Sequence, residues 1–105
     1  MARAIEQIKA EHQFKLSPQE KARLHQFADL IGNSILVIRA QDFSEDSARK
    51  LHKIANIIRR IYRQDRIIVR IMSEISDAIT GHITVGDIRK LEDLNLEFRN
   101  YIRKN

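Results

Sequence analysis

The sequence predicts an all-α protein, a compact bundle of four to five helices with one long central helix, forming a single domain over residues 1–105. Three observations predict it. Apolar residues recur at three- and four-residue steps along most of the chain, only three Gly and one Pro are present, and Ser, Thr or Asp stands where each apolar stripe begins. So little turn chemistry excludes a many-stranded sheet, and 105 residues suit one core.

The elements follow in order. Ile5, Ile8 and His12 share a face, which predicts a short amphipathic helix over about residues 2 to 13. Ser17-Pro18-Gln19-Glu20 starts the next: Ser caps, Pro takes the first helical position, and Glu at the third completes a capping box. Leu24, Phe27, Ala28, Ile31, Ile35 and Ile38 carry that helix to about Ala40, with Gly32-Asn33 a place for a kink. Asp42, Ser44 and the acidic pair Glu45-Asp46 mark another start, because acceptors and negative charge suit the exposed amides of a first turn.

From there Ile54, Ile58, Ile61, Asp65, Ile68, Met72, Ile75 and Ile79 alternate four- and three-residue steps, and no Gly or Pro interrupts Ser47 to Thr80. One long helix to about Ile79 is therefore expected. Asp65 lies on its apolar seam, where a lone charge is costly. Either it meets an Arg, or the helix breaks at Gln64-Asp65; the sequence leaves both open. Thr80-Gly81-His82 closes the segment, and Thr84-Val85-Gly86-Asp87 opens a last helix with Ile88, Leu91, Leu94, Phe98 and Tyr101 on one face.

Several function classes are disfavoured. Without Cys there is no disulfide, thiolate metal site or cysteine nucleophile, and an intracellular, cytoplasmic setting is expected. The longest apolar run, Ile35 to Ile38, is far below the roughly 20 residues that cross a bilayer, so no membrane role is expected. His12, His25, His52 and His82 form no pair at ligand spacing, and His25 with Asp29 one turn on is an ordinary exposed pair. Gly81 and Gly86 lack the strand and lysine of a phosphate loop, Ser44 and Ser47 are explained by capping, and Met72 fills a core position. The expectation is a non-enzyme with no metal, no cofactor and no small-molecule substrate.

The net charge is +5, but its distribution is uneven. Residues 47–70 hold Arg49, Lys50, Lys53, Arg59, Arg60, Arg63, Arg66 and Arg70 against Asp65 alone, a local +7 that leaves −2 for the rest of the chain. On one continuous helix all but Lys50 fall within an arc of about 140°, opposite Ile54, Ile58 and Ile61. Arg59 with Arg63, and Arg66 with Arg70, repel at i,i+4, which a polyanion laid along the face would offset by counterion release. These eight residues are the candidate nucleic-acid-binding set. The competing view is that they solubilise the surface or pair with Glu92, Asp93 and Glu97, and Ile67 and Ile71 point to partial burial of that face beyond Asp65. Tyr62 could stack on a base but lies near the apolar arc.

Leu24, Phe27, Ala28, Ile31 and Gly32, then Phe43-Ser44 with Ala48-Arg49-Lys50-Leu51 opening an isoleucine-rich helix, resemble the small subunits of multisubunit CRISPR effector complexes of the Cascade type, the type I-D subtype among them. The resemblance covers about residues 20 to 65. It implies a helical, catalytically inert subunit of an antiviral-defence ribonucleoprotein that contacts guide–target duplex or displaced strand, beside other effector subunits and copies of itself. By position it carries over Arg49 and Lys50; the other six cations rest on the charge pattern. A second resemblance joins Arg70 to Ile79 with the penultimate helix of bacteriocin immunity proteins, which implies a small protein-binding bundle or regulator instead. A histone-like compactor would need a shorter central helix.

Overall fold

The computed structural model describes residues 16–105. The amphipathic helix expected over residues 2 to 13 lies outside them. Four helices are described: α1 (Pro18–Ala40), α2 (Glu45–Ile61), α3 (Arg66–Ala78) and α4 (Val85–Lys104).

Each helix begins where a side chain satisfies first-turn amides that have no carbonyl below them. Ser17 Oγ accepts from the Glu20 amide at 3.1 Å, and Glu20 accepts in return from the Ser17 amide, so the predicted capping box starts α1. Ser44 caps α2 through the Asp46 amide at 3.2 Å. Thr84 and Asp87 form the second box at α4, with the Asp87 amide donating to Thr84 Oγ1 at 3.2 Å. There the Thr84 amide and hydroxyl both donate to Asp87 and hold its carboxyl below its usual 3.8. That stabilisation is complete above the unfolded value and fades as pH falls through the lower folded one. Asp87→Ala is therefore expected to lower the urea midpoint at pH 7 and to change it little at pH 2.

The expected long central helix is not continuous. It ends at Ile61, Tyr62 to Asp65 turn the chain, and α3 begins at Arg66. The reason is Asp65, which is buried and serves as the N-cap of α3. One carboxylate oxygen accepts from the amides of Ile67 and Ile68 at 3.1 and 3.2 Å, and the other accepts from the Tyr101 hydroxyl of α4 at 2.6 Å. Within an unbroken helix those amides would already be committed to carbonyls, leaving a buried charge without its donors. The break satisfies the carboxylate and lets α2 and α3 fold against each other.

α1 runs through Gly32-Asn33 without interruption. Gly32 instead admits a close neighbour, since a Cβ there would stand 3.4 Å from Asn95 Nδ2 of α4. Across that gap Asn95 and Arg99 donate to the Ala28 carbonyl at 3.2 and 3.4 Å. After α1, Asp42 and Phe43 take φ of 58° and 62°, in the left-handed region. The Phe43 amide then reaches the Ile38 carbonyl at 2.7 Å and its ring packs against the core.

The helices pack in a ring, α1 on α2, α2 on α3, α3 on α4, and α4 back on α1. Every junction is antiparallel. The side-chain pairs that show it are Ser47 with Gln41 for α2 and α1, Arg59 with Ser73 for α2 and α3, Tyr101 with Asp65 for α4 and α3, and Arg99 with Asp29 beside Arg39 with Glu92 for α4 and α1. The result is an all-α, up-and-down four-helix bundle. Its core is isoleucine-rich, with Leu24, Ile31, Leu51, Ile58, Ile68, Met72, Ile75, Leu91 and Phe98 all fully buried.

Candidate nucleic-acid interface

The break at Asp65 divides the eight cations. Arg49, Lys50, Lys53, Arg59 and Arg60 belong to α2, Arg63 to the connection, and Arg66 and Arg70 to α3. The single basic face expected on one rod is thus two segments meeting at a corner. On α2 the buried stripe is Ala48, Leu51, Ala55 and Ile58 rather than the expected Ile54, Ile58 and Ile61; Ile54 is half-buried and Ile61 is exposed. On α3 the expected Ile68, Met72 and Ile75 are buried, joined by Ile71, while Ile67 faces out. The partial burial that Ile71 implies for that side is supplied by the packing of α3 against both α2 and α4.

Three of the eight have partners within the protein. Arg70 is held by Glu74 at 3.0 Å on its own helix and by Glu97 on α4, and those two carboxylates raise its pKa. Its charge is compensated internally. Arg49 pairs with Asp46 at 2.8 Å, an exposed i,i+3 contact that contributes little. Arg59 is half-buried and donates to Ser73 Oγ at 3.0 Å and Asn56 Oδ1 at 2.6 Å, both neutral, so it ties α2 to α3 and keeps its charge.

Lys50, Lys53, Arg60, Arg63 and Arg66 are exposed, and among the described residues none of them has a carboxylate at ion-pair distance. Lys53 and Arg60 are two turns apart on the outer side of α2, about 10 Å along its axis. Arg63 and Arg66 continue the set around the corner where Asp65 is anchored to Tyr101. Tyr62 is half-buried against the core, and burial raises its phenol pKa against the pull of Arg23, so it offers no open ring for stacking. The competing pairing with α4 holds only in part, since Glu97 takes Arg70 while Glu92 takes Arg39 of α1 at 3.2 Å.

Two features of the surface had no signal in the sequence. His52 and His82, thirty positions apart, line one cleft of about 650 Å³ with Phe43, Arg49 and Thr80, at the end of the bundle where α2 starts and α3 stops. Leu30 and Val37 on α1 and Ile57 and Ile61 on α2 are exposed apolar side chains. No group of three potential metal ligands converges among the described residues, and none of the described helices is long and apolar enough to cross a membrane.

No protein-family model matches the chain, and no curated protein or solved structure is significantly similar to it.

Proposed function

We propose that this chain is a non-catalytic helical subunit of a ribonucleoprotein that binds nucleic acid through the phosphate backbone, its resemblance to CRISPR effector small subunits naming the class of assembly. The observation that carries the reading is the group Lys50, Lys53, Arg60, Arg63 and Arg66, exposed and without carboxylate partners among the described residues. Its guanidinium groups suit phosphate oxygens, and its charges lie along a rigid helix and the corner after it. Base reading has no support in these residues, so recognition would be of the backbone. Arg49 and Arg59 lie on the same helix and add weaker or indirect support; Arg70, already compensated, leaves the set.

The test is the salt dependence of binding to single-stranded and duplex RNA and DNA, followed by fluorescence anisotropy. The fourfold variant Lys53→Ala, Arg60→Ala, Arg63→Ala, Arg66→Ala is expected to flatten the slope of log affinity against log salt by up to about 0.7–0.9 for each phosphate that is no longer neutralised. Arg70→Ala is expected to leave the slope unchanged. A wild-type protein with no salt-sensitive binding, alone or in its assembly, would overturn the proposal. A protein-binding bundle such as an immunity protein is the second reading, favoured by exposed Ile57 and Ile61 on the same helix. Neighbouring genes separate the two: effector genes in one case, a bacteriocin precursor in the other.

A further inference from the structure

The chain enters α1 at a fixed point on α4. The Leu16 amide donates to the carbonyl of Asn105, the C-cap of α4, at 2.7 Å, and the Leu16 side chain packs against the core. Residues 1–15 are therefore joined to the bundle beside the C-terminal end of α4.

Asn105 is also one end of a cleft. Between α3 and α4 lies a hollow of about 560 Å³, lined by Ile67 of α3 and by Asp93, Leu96, Tyr101 and Lys104 of α4 with Asn105. Ile67 is 43% exposed, and Leu96, at 56%, stands at the rim. Arg70 and Glu97 also line the hollow, where they neutralise each other. That leaves Asp93 toward one end and Lys104 at the other, both exposed and without an ion-pair partner among the described residues. They are eleven residues apart on α4, about 16 Å.

The N-terminal segment matches this cleft in length, direction and charge. Ile5, Ile8 and His12 stand at i, i+3 and i+7, the spacing with which an amphipathic helix anchors in a groove, and the helix they predict over residues 2 to 13 would be about 18 Å long. Because the chain is tied at Asn105, that helix can lie along the cleft only with its start toward Asp93 and its end toward Lys104. The direction is favourable, since a helix N-terminus carries partial positive charge and the C-terminal end, here with Glu11, is negative. Counting back from Leu16, with two residues for the link, puts Ile8 about six residues from the end of α4. The bond of Tyr101 to Asp65 puts Ile67 at about that same height.

The tether also selects between this segment and a second copy. A segment joined by a short link is present at its site at an effective concentration on the order of millimolar, which a separate molecule must exceed to displace it.

We infer that the α3/α4 cleft over Ile67 is the docking site of this chain's own N-terminal segment, which lies along α4 with Ile5, Ile8 and His12 inward and closes the bundle as a fifth helix. The inference stands apart from the nucleic-acid reading, because none of Lys50, Lys53, Arg60, Arg63 and Arg66 lines the cleft.

The chain has no cysteine, so introduced pairs report proximity cleanly. Ile8→Cys with Ile67→Cys in the full chain, at low micromolar concentration in oxidised glutathione, is expected to form an intramolecular disulfide at least about tenfold faster than Ile8→Cys with Ile61→Cys. Ile61 is similarly exposed and lies near the same end of the bundle but on α2, so neither pair disturbs the core. Asp93→Lys with Lys104→Glu, which reverses the charges of the cleft, is expected to slow the first pair by about threefold or more and to leave the second unchanged. In a cysteine-free chain, Ile5→Asp with Ile8→Asp is expected to shift the Ile67 methyl signals and not those of Ile57. Equal rates for the two pairs, or Ile67 signals unmoved by Ile5→Asp with Ile8→Asp, would overturn the inference. Disulfide-linked dimers as the main product of the first pair would overturn it too, by assigning the cleft to the segment of a second copy.

Discussion

Asp65→Ala is expected to destabilise the protein by about 2–4 kcal/mol in urea denaturation, because one carboxylate performs two tasks. Loss of the cap leaves the Ile67 and Ile68 amides without their acceptor, typically about 1 kcal/mol. Loss of the second oxygen leaves the half-buried Tyr101 hydroxyl without its partner, a further cost of about 1–3 kcal/mol. Asp65→Asn separates the tasks from the charge: it retains a side-chain oxygen for the amides, and the Tyr101 hydroxyl can accept from its amide nitrogen, so less than half the loss is expected. Tyr101→Phe should reproduce only the second part. Burial, and then the bond to Asp65, push the Tyr101 phenol well above its usual 10.0. A raised phenol contributes stability that is fully present below the unfolded value and lost as pH rises through the folded one. The difference between wild type and Tyr101→Phe is therefore expected to hold from neutral pH to about 10 and to shrink only above it. A flat response in both Asp65 variants would show that the corner does not depend on this carboxylate.

Phe98→Ala is expected to be the most damaging single core change, at about 3–5 kcal/mol by the same measurement. Phe98 is the largest fully buried side chain among the described residues. It lies on the inner face of α4 with Leu91, Leu94 and Ile102, in the helix that closes the ring of four. A cavity of that size cannot be filled by helices held at both sides. Leu96→Ala, two positions away and 56% exposed, is expected to stay within about 0.5 kcal/mol of wild type. A Phe98→Ala effect as small as that would place the core elsewhere.

Helix starts were legible because a cap is a local contract between neighbours. Ser17 with Glu20 and Thr84 with Asp87 pair over three residues, and nothing distant alters the chemistry. The break at Asp65 was visible only as one of two outcomes, since the deciding partner, Tyr101, is thirty-six positions away. The orientation of α2 departs from the expected one for a related reason. Isoleucines at positions 54, 58 and 61 continue the period of α3, but once the chain turns, each helix buries its own stripe and Ile61 faces out.

The candidate site divides in the same way. Charge is countable from composition, so the excess in residues 47–70 needed no coordinates. Whether a cation is available to a partner depends on which carboxylate its own fold brings near. Glu97 reaches Arg70 only because α3 and α4 run antiparallel.

The linear chain by itself determined that this protein is helical, where three of the four described helices begin and that its basic excess is concentrated, because each depends on short-range hydrogen bonding, apolar period and charge count. Only the tertiary structure decided that the central segment is two helices, that Arg70 is compensated while Arg60, Arg63 and Arg66 stand exposed without carboxylate partners among the described residues, and that Asp65 is held by Tyr101. Those outcomes turn on pairs of residues far apart in sequence, whose distance is set by how four helices close around one core.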